Sequence, residues 1–299
     1  MLCAGDLSSR AEAAYLGLAI GDALGATVEF LTPREIIYQY VSHTEIIGGG
    51  WLKIKAGHVT DDTSMSLALG EAILSHSGKV DALAVAQAFD QWMRSKPIDI
   101  GNTVRRNLIR FRTTGETEAP LSEYDAGNGA LMRLLPAALS SFQQSEADIT
   151  AAILAQAHVT HNNPLSDAAC LTVTQMIHGV LAGESSVSVQ EKIVAPFIRH
   201  HPLFEFRYKR IENPSGYVVD TVQAVFQALF ESDSFESALI DVVNRGGDAD
   251  TTGAIVGMLA GALYGLDAIP KRWLKALNPE IALRCKEQAQ ALIANVASA

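Results

Sequence analysis

Four glycines recur at every fourth position late in the chain, Gly253, Gly257, Gly261 and Gly265, inside its longest apolar run, GAIVGMLAGALYGL. On a helix, residues four apart share one face. That face is nearly bare here, so a second helix can approach it closely, as small residues allow between membrane helices. The run covers 253–266, which is short for a bilayer span of about 20 residues. It reads as a buried helix against which the rest of the fold is packed.

The remaining pattern is helical almost throughout. Apolar residues at spacings of three and four predict helices near 9–22, 60–77, 80–94, 101–114, 128–141, 146–158, 165–182, 187–200, 216–231, 235–244, 250–265 and 279–297. Asp81 and Ser234, the latter with Ser237 three residues on, stand where helix caps belong. A short alternating run at 204–209 has strand character, but such runs are too few to build a sheet. No repeat and no low-complexity linker divides the chain, so the expectation is one all-α domain spanning 1–299, an orthogonal multi-helix bundle.

Two acidic motifs lead into apolar helices. One is Gly57-His58-Val59-Thr60-Asp61-Asp62-Thr63-Ser64, and the other is Asn244-Arg245-Gly246-Gly247-Asp248-Ala249-Asp250-Thr251-Thr252. Capping explains one Asp or Thr at a helix start. Two Asp and two Thr exceed that need, which leaves metal binding beside capping as the reading of each motif. A third element, Gly21-Asp22-Ala23-Leu24-Gly25 followed by Glu29, reads alone as a glycine-ended helix terminus. Together the three supply Glu29, Asp61, Asp62, Asp248 and Asp250, with hydroxyls from Thr60 and Thr251. These are hard oxygen donors, suited to Mg²⁺, Mn²⁺ or Ca²⁺ rather than structural zinc. Five converging carboxylates repel one another unless cations neutralise them, and two divalent ions nearly balance the charge. The case requires the motifs to meet in space.

Net charge bears on the ligand. At −10 the chain lacks the basic surface that duplex binding needs. An anionic substrate would have to be held by metal ions or helix N-termini. Cys3, Cys170 and Cys285 are far apart and in no CxxC spacing, so they read as free thiols of a reducing compartment. The N-terminal segment has no secretion pattern.

Read in order, GDALG with Glu29, GHVTDDTSM, DIGNTVR, GNGALMRLLP, THNNP and RGGDADTTGAIVGMLAGALYG resemble the ADP-ribosylglycohydrolase family over about 15–265. The resemblance implies an all-α fold with a binuclear Mg²⁺ or Mn²⁺ centre at the base of a cleft. It implies Thr60, Asp61, Asp62, Asp248, Asp250 and Thr251 as metal ligands, with Glu29 close by. Asp99 would face the scissile ribose and, with Glu29, serve catalysis. Asn128, Gly129 and Met132 would cradle the pyrophosphate, and His158 and Tyr217 would lie near the ADP-ribose. Structural alternatives stand beside these: a DIGN turn at Asp99, a hydrogen-bonded loop at His158 and His161, a cap at Asn128 and Gly129, and a core position for Tyr217.

The implied activity is metal-dependent removal of ADP-ribose from a protein arginine. Within the family the sequence is similar to members acting on the nitrogenase iron protein. That implies this substrate, control by a PII signalling protein and, through it, an ammonium transporter, and a cytoplasmic monomer that partners recruit to the inner membrane. Other family linkages, serine-linked or O-acetylated ADP-ribose, remain open, as does a non-catalytic ADP-ribose-binding protein. The DxDxT string at 248–252 is also that of haloacid dehalogenase phosphatases. Those place it after an N-terminal strand of an α/β domain, not late in a helical chain.

Overall fold

The packing begins from two helices whose small residues let their backbones touch. The computed structural model describes residues 4–297, and the first of these helices is α1 (Ala4–Gly25). The others in chain order are α2 (Pro33–Tyr40), α3 (Asp61–Ser75), α4 (Ala82–Arg94), α5 (Asn102–Thr114), α6 (Leu135–Ser140), α7 (Glu146–Ala157) and α8 (Pro164–Leu181). They continue as α9 (Ser186–Val189), α10 (Ala195–His200), α11 (Val218–Glu231), α12 (Phe235–Val243), α13 (Ala249–Tyr264), α14 (Lys271–Ala276) and α15 (Pro279–Ala297). The described residues contain no strand, only isolated bridges pairing Gly49 with Ile54 and Gly127 with Tyr217. The 204–209 run is accordingly not a strand, and Pro202–Phe204 is a 3-10 turn.

The glycine row does what its spacing predicts. It lies in α13 against α1. A Cβ added at Gly253 would stand 2.5 Å from the Gly21 carbonyl oxygen, and one added at Gly21 would stand 1.9 Å from that of Gly253. Any side chain at this crossing would force the helices apart. Gly265 departs from the row: it ends α13 with φ 80°. Around the pair, α11 and α12 cover α13, while α3 and α15 flank α1. Gln288 of α15 ties these together, accepting from the Tyr15 hydroxyl and donating to the Leu67 carbonyl at 3.0 Å. The buried apolar side chains form one continuous core.

Two predicted helices differ in extent. Of 128–141 only Leu135–Ser140 is helical. Residues 128–134 form turns because the Asn128 amide is drawn to Thr221 and Asp248, and Pro136 fixes the start of the helix. Over 187–200 the helix is interrupted by a π turn, Gln190–Val194. Pro196 lacks the N–H of a regular α register there. Helices α2 and α14 lie outside the predicted set.

Cys170 and Cys285 are buried free thiols, and Cys3 lies outside the described residues. Among the described residues no helix is long and apolar enough to cross a membrane.

Candidate metal centre

The cap question settles geometrically. At the start of α3 the Thr60 hydroxyl accepts the Asp62 N–H, so the threonine is the cap and the carboxylates of Asp61 and Asp62 are left over. A second helix adds to that cap. Asp22, near the end of α1, accepts from Thr60 N–H at 2.9 Å, Thr63 N–H at 3.0 Å and the Thr63 hydroxyl at 2.5 Å. Its burial holds the Asp22 carboxyl up at about 6 even against these bonds. At α13, Asp248 occupies the cap position but its side chain makes no capping bond. The Gly246-Gly247 turn before it has φ 70° and 65°, the left-handed region that glycine enters freely. An added Cβ on Gly247 would meet the Pro214 carbonyl at 2.1 Å.

These turns bring the motifs together. Glu29, Asp248 and Asp250 offer carboxylate oxygens within 4.8 Å of one another. The Thr251 hydroxyl reaches Asp62 Oδ2 at 3.4 Å, and the Thr60 hydroxyl reaches the same oxygen at 3.2 Å. Asp61 and Asp62 share one cleft lining with Glu29, Asp248, Asp250 and Thr251, in a cavity of about 290 Å³. Thr60 sits just beneath, fully buried.

The electrostatics of this floor are unfavourable without counter-charge. Burial pushes Glu29 and Asp61 up to about 8, with neighbouring carboxylates adding to it. Burial likewise drives Asp62 and Asp250 well above the carboxylate range, and raises Asp248. One oxygen of Asp62 and one of Asp250 are buried with no hydrogen-bond partner among the described residues. A buried carboxylate oxygen left bare is costly, and the donor set here, carboxylate and hydroxyl oxygen, is the one hard divalent cations take. The residues therefore fit such ions.

The rest of the cleft is of different chemistry. Asp99 lines it, with Oδ1 held by the Ile100 N–H at 2.8 Å. It is not a cap: Gly101 holds that position of α5, without a side-chain bond. The uncapped first turn, Gly101 to Val104, lines the cleft and presents free N–H groups of the kind anions seek. Asn128, Gly129 and Met132 line it too. Asn128 donates to Asp248 Oδ2 at 2.7 Å and to Thr221 at 2.9 Å. The N–H groups of Gly127 and Asn128 are taken by the carbonyls of Asp125 and Gly216.

Three sequence-predicted residues are not in the lining: Thr60, which is buried beneath it, His158 and Tyr217. His158 is held by Asp167 at 3.0 Å, which raises its pKa. Tyr217 is half-exposed beside the Gly127 bridge, and its neighbour Gly216 lines the cleft instead. The histidine in the lining is His161, packed against Gly129 and pushed down to about 3 by burial, hence neutral. Sequence reasoning missed Asp22, Phe30 and the α5 N-terminus. Asp22 was visible between its glycines, and Gly101 before an amphipathic helix signalled an open first turn.

A family model described as ADP-ribosylglycohydrolase matches residues 4–298. The chain is 49% identical over 285 residues to the ADP-ribosyl-[dinitrogen reductase] glycohydrolase of Rhodospirillum rubrum, covering 95% of this chain and 96% of that protein. It is 34% identical to the ADP-ribosylarginine hydrolase Tri1 of Serratia proteamaculans, covering 90% of this chain and 75% of that protein. A solved structure of an ADP-ribosylglycohydrolase-related protein complex superposes with a TM-score of 0.85 at 34% identity, over 97% of this chain and 99% of that one.

Proposed function

The chain belongs to the ADP-ribosylglycohydrolase family and is an ADP-ribosyl hydrolase, and within that activity we propose that it is a dimetal enzyme releasing ADP-ribose from an arginine of the nitrogenase iron protein, thereby reactivating it. The observation that carries the metal reading is the pair of bare, buried oxygens of Asp62 and Asp250 in one acidic cleft floor. The target reading is supported by the two relatives whose names specify dinitrogen reductase and ADP-ribosylarginine.

Asp61, Asp62, Asp248, Asp250 and Thr251 would hold two Mn²⁺ or Mg²⁺ ions, with Glu29 beside them and Thr60 supporting Asp62. Bound there, the cations would supply Lewis acidity toward the ribose hydroxyls and a water molecule. The chain's own groups do the rest. Asn128 fixes Asp248 by its amide. The α5 first turn and the Gly129 backbone receive the pyrophosphate. Breaking the anomeric C–N bond develops oxocarbenium character, and Asp99 and Glu29 are the carboxyl groups placed to orient the attacking water and take its proton. Guanidine is a strong base, so the proton taken from the water is passed to its leaving nitrogen as the C–N bond breaks and the C–O bond forms, and the arginine side chain is released as its guanidinium.

The whole chain, 1–299, acts as one domain in this reading. Control by a PII signalling protein and, through it, an ammonium transporter belongs to the same proposal, with any residence at the inner membrane supplied by those partners. The test is linkage selection. Arginine-ADP-ribosylated iron protein should be turned over far faster than a serine-linked ADP-ribosyl peptide or O-acetyl-ADP-ribose. Preference for either of the latter would overturn the target assignment.

A further inference from the structure

An exposed aromatic pair stands at the acidic side of the cleft, and nothing in the fold accounts for it. Phe30 lines the cleft next to Glu29, yet its side chain is 62% exposed. Its backbone is left-handed, φ 63°, a conformation that costs a non-glycine residue energy. The Phe30 N–H bond to the Gly247 carbonyl at 2.7 Å, with the Gly247 N–H bond to the Leu31 carbonyl at 3.0 Å, holds it there. Burial does not repay this strain. Trp51, 52% exposed, packs against Phe30 with ring centroids 5.4 Å apart and planes at 49°. Its indole N–H donates to Glu29 Oε2 at 2.6 Å, which fixes the ring beside the carboxylate.

Two exposed ring surfaces beside Glu29, the carboxylate left outside the proposed metal ligand set, suit one ligand chemistry above others. A planar cation can lie on an aromatic face while its charge is met by such a carboxylate. Resting on the arginine-linkage reading above, we propose that Phe30 and Trp51 form the subsite for the guanidinium of the modified arginine, and so set the preference for arginine-linked ADP-ribose. Adenine is also planar, but it is neutral and gains nothing from this acidic edge. The Trp51 ring continues the aromatic surface beyond the cleft lining, where the chain bearing the arginine would enter.

The test uses the full-length, Mn²⁺-loaded protein with Phe30→Leu, which keeps an apolar side chain but no ring, and Phe30→Tyr, which keeps the ring. KM for an arginine-ADP-ribosylated protein and the inhibition constant of agmatine are measured, with ADP-ribose affinity by calorimetry. Phe30→Leu should weaken both guanidinium readouts roughly tenfold, within the range of a desolvated cation–π contact. It should leave ADP-ribose affinity within about twofold, and Phe30→Tyr should restore the loss. Unchanged KM and agmatine inhibition in Phe30→Leu would overturn the subsite while leaving the linkage reading intact. A loss confined to ADP-ribose affinity would assign the rings to adenine instead. If the wild-type protein released no ADP-ribose from arginine at all, the linkage reading and the subsite would fall together.

Discussion

Asp62 and Asp250 each carry a buried oxygen that has no hydrogen-bond partner among the described residues. Side chains are rarely placed so unless something absent from the polypeptide completes them. Removing the charge at one of them should therefore separate function from stability. Asp62→Asn is expected to lower turnover by more than roughly 100-fold, beyond the range for losing an outer-sphere partner. In EDTA its melting temperature should equal or exceed that of the wild type, because one of several repelling carboxylates is gone. A variant that melts much lower without metal, or that keeps near-normal turnover in saturating Mn²⁺, would contradict this. At this scale the acids were legible in the sequence, since TDDT and GGDADTT hold more carboxylates than capping uses. His158 and His161 were not distinguishable by spacing. Asp167, nine residues on, turns the first away, and the burial of the second beside Gly129 brings it to the cleft. Phe30 and Trp51 come from loops without periodicity, so only their placement marks them.

Helices supply the site with its rigidity. The Gly21–Gly253 crossing fixes α1 and α13, which carry Asp22 and Asp250. Gly253→Val is expected to destabilise the protein by about 3 kcal/mol or more, the upper range of overpacking, read as a lowered denaturant midpoint. Turnover should fall with it if the acids move. A midpoint unchanged from wild type would mean the helices have room that the structure denies them. The glycine row itself was plain in the sequence, and so were the caps: the Asp81 carboxylate accepts the Ala84 N–H and the Ser234 hydroxyl accepts the Ser237 N–H. Less legible was α2, although Thr32-Pro33-Arg34-Glu35 is a capping box with proline in the first turn. Its eight residues are too short for periodicity to show. The 128–134 stretch misled for the opposite reason. Its apolar spacing is helical, but long-range bonds from Asn128 to α11 and to Asp248 override the local pattern.

Over the whole molecule, a net charge of −10 opposes an anionic substrate, and the resolution lies in where charge is compensated. The cleft places an acidic floor beside an uncapped helix start, so cations and backbone dipoles would supply the positive potential that lysines and arginines do not. That architecture was legible as a requirement that the motifs meet, while the meeting itself depends on contacts 189 residues apart, such as Thr251 with Asp62. In the proposed function, this meeting makes a cation site on which hydrolysis depends. Its most direct measurement is release of ADP-ribose from an arginine-ADP-ribosylated protein, by protein stripped with EDTA and then titrated with Mn²⁺. No release is expected from the stripped protein, with recovery that saturates at two ions per chain. Undiminished release from protein shown by elemental analysis to hold no divalent metal would contradict it.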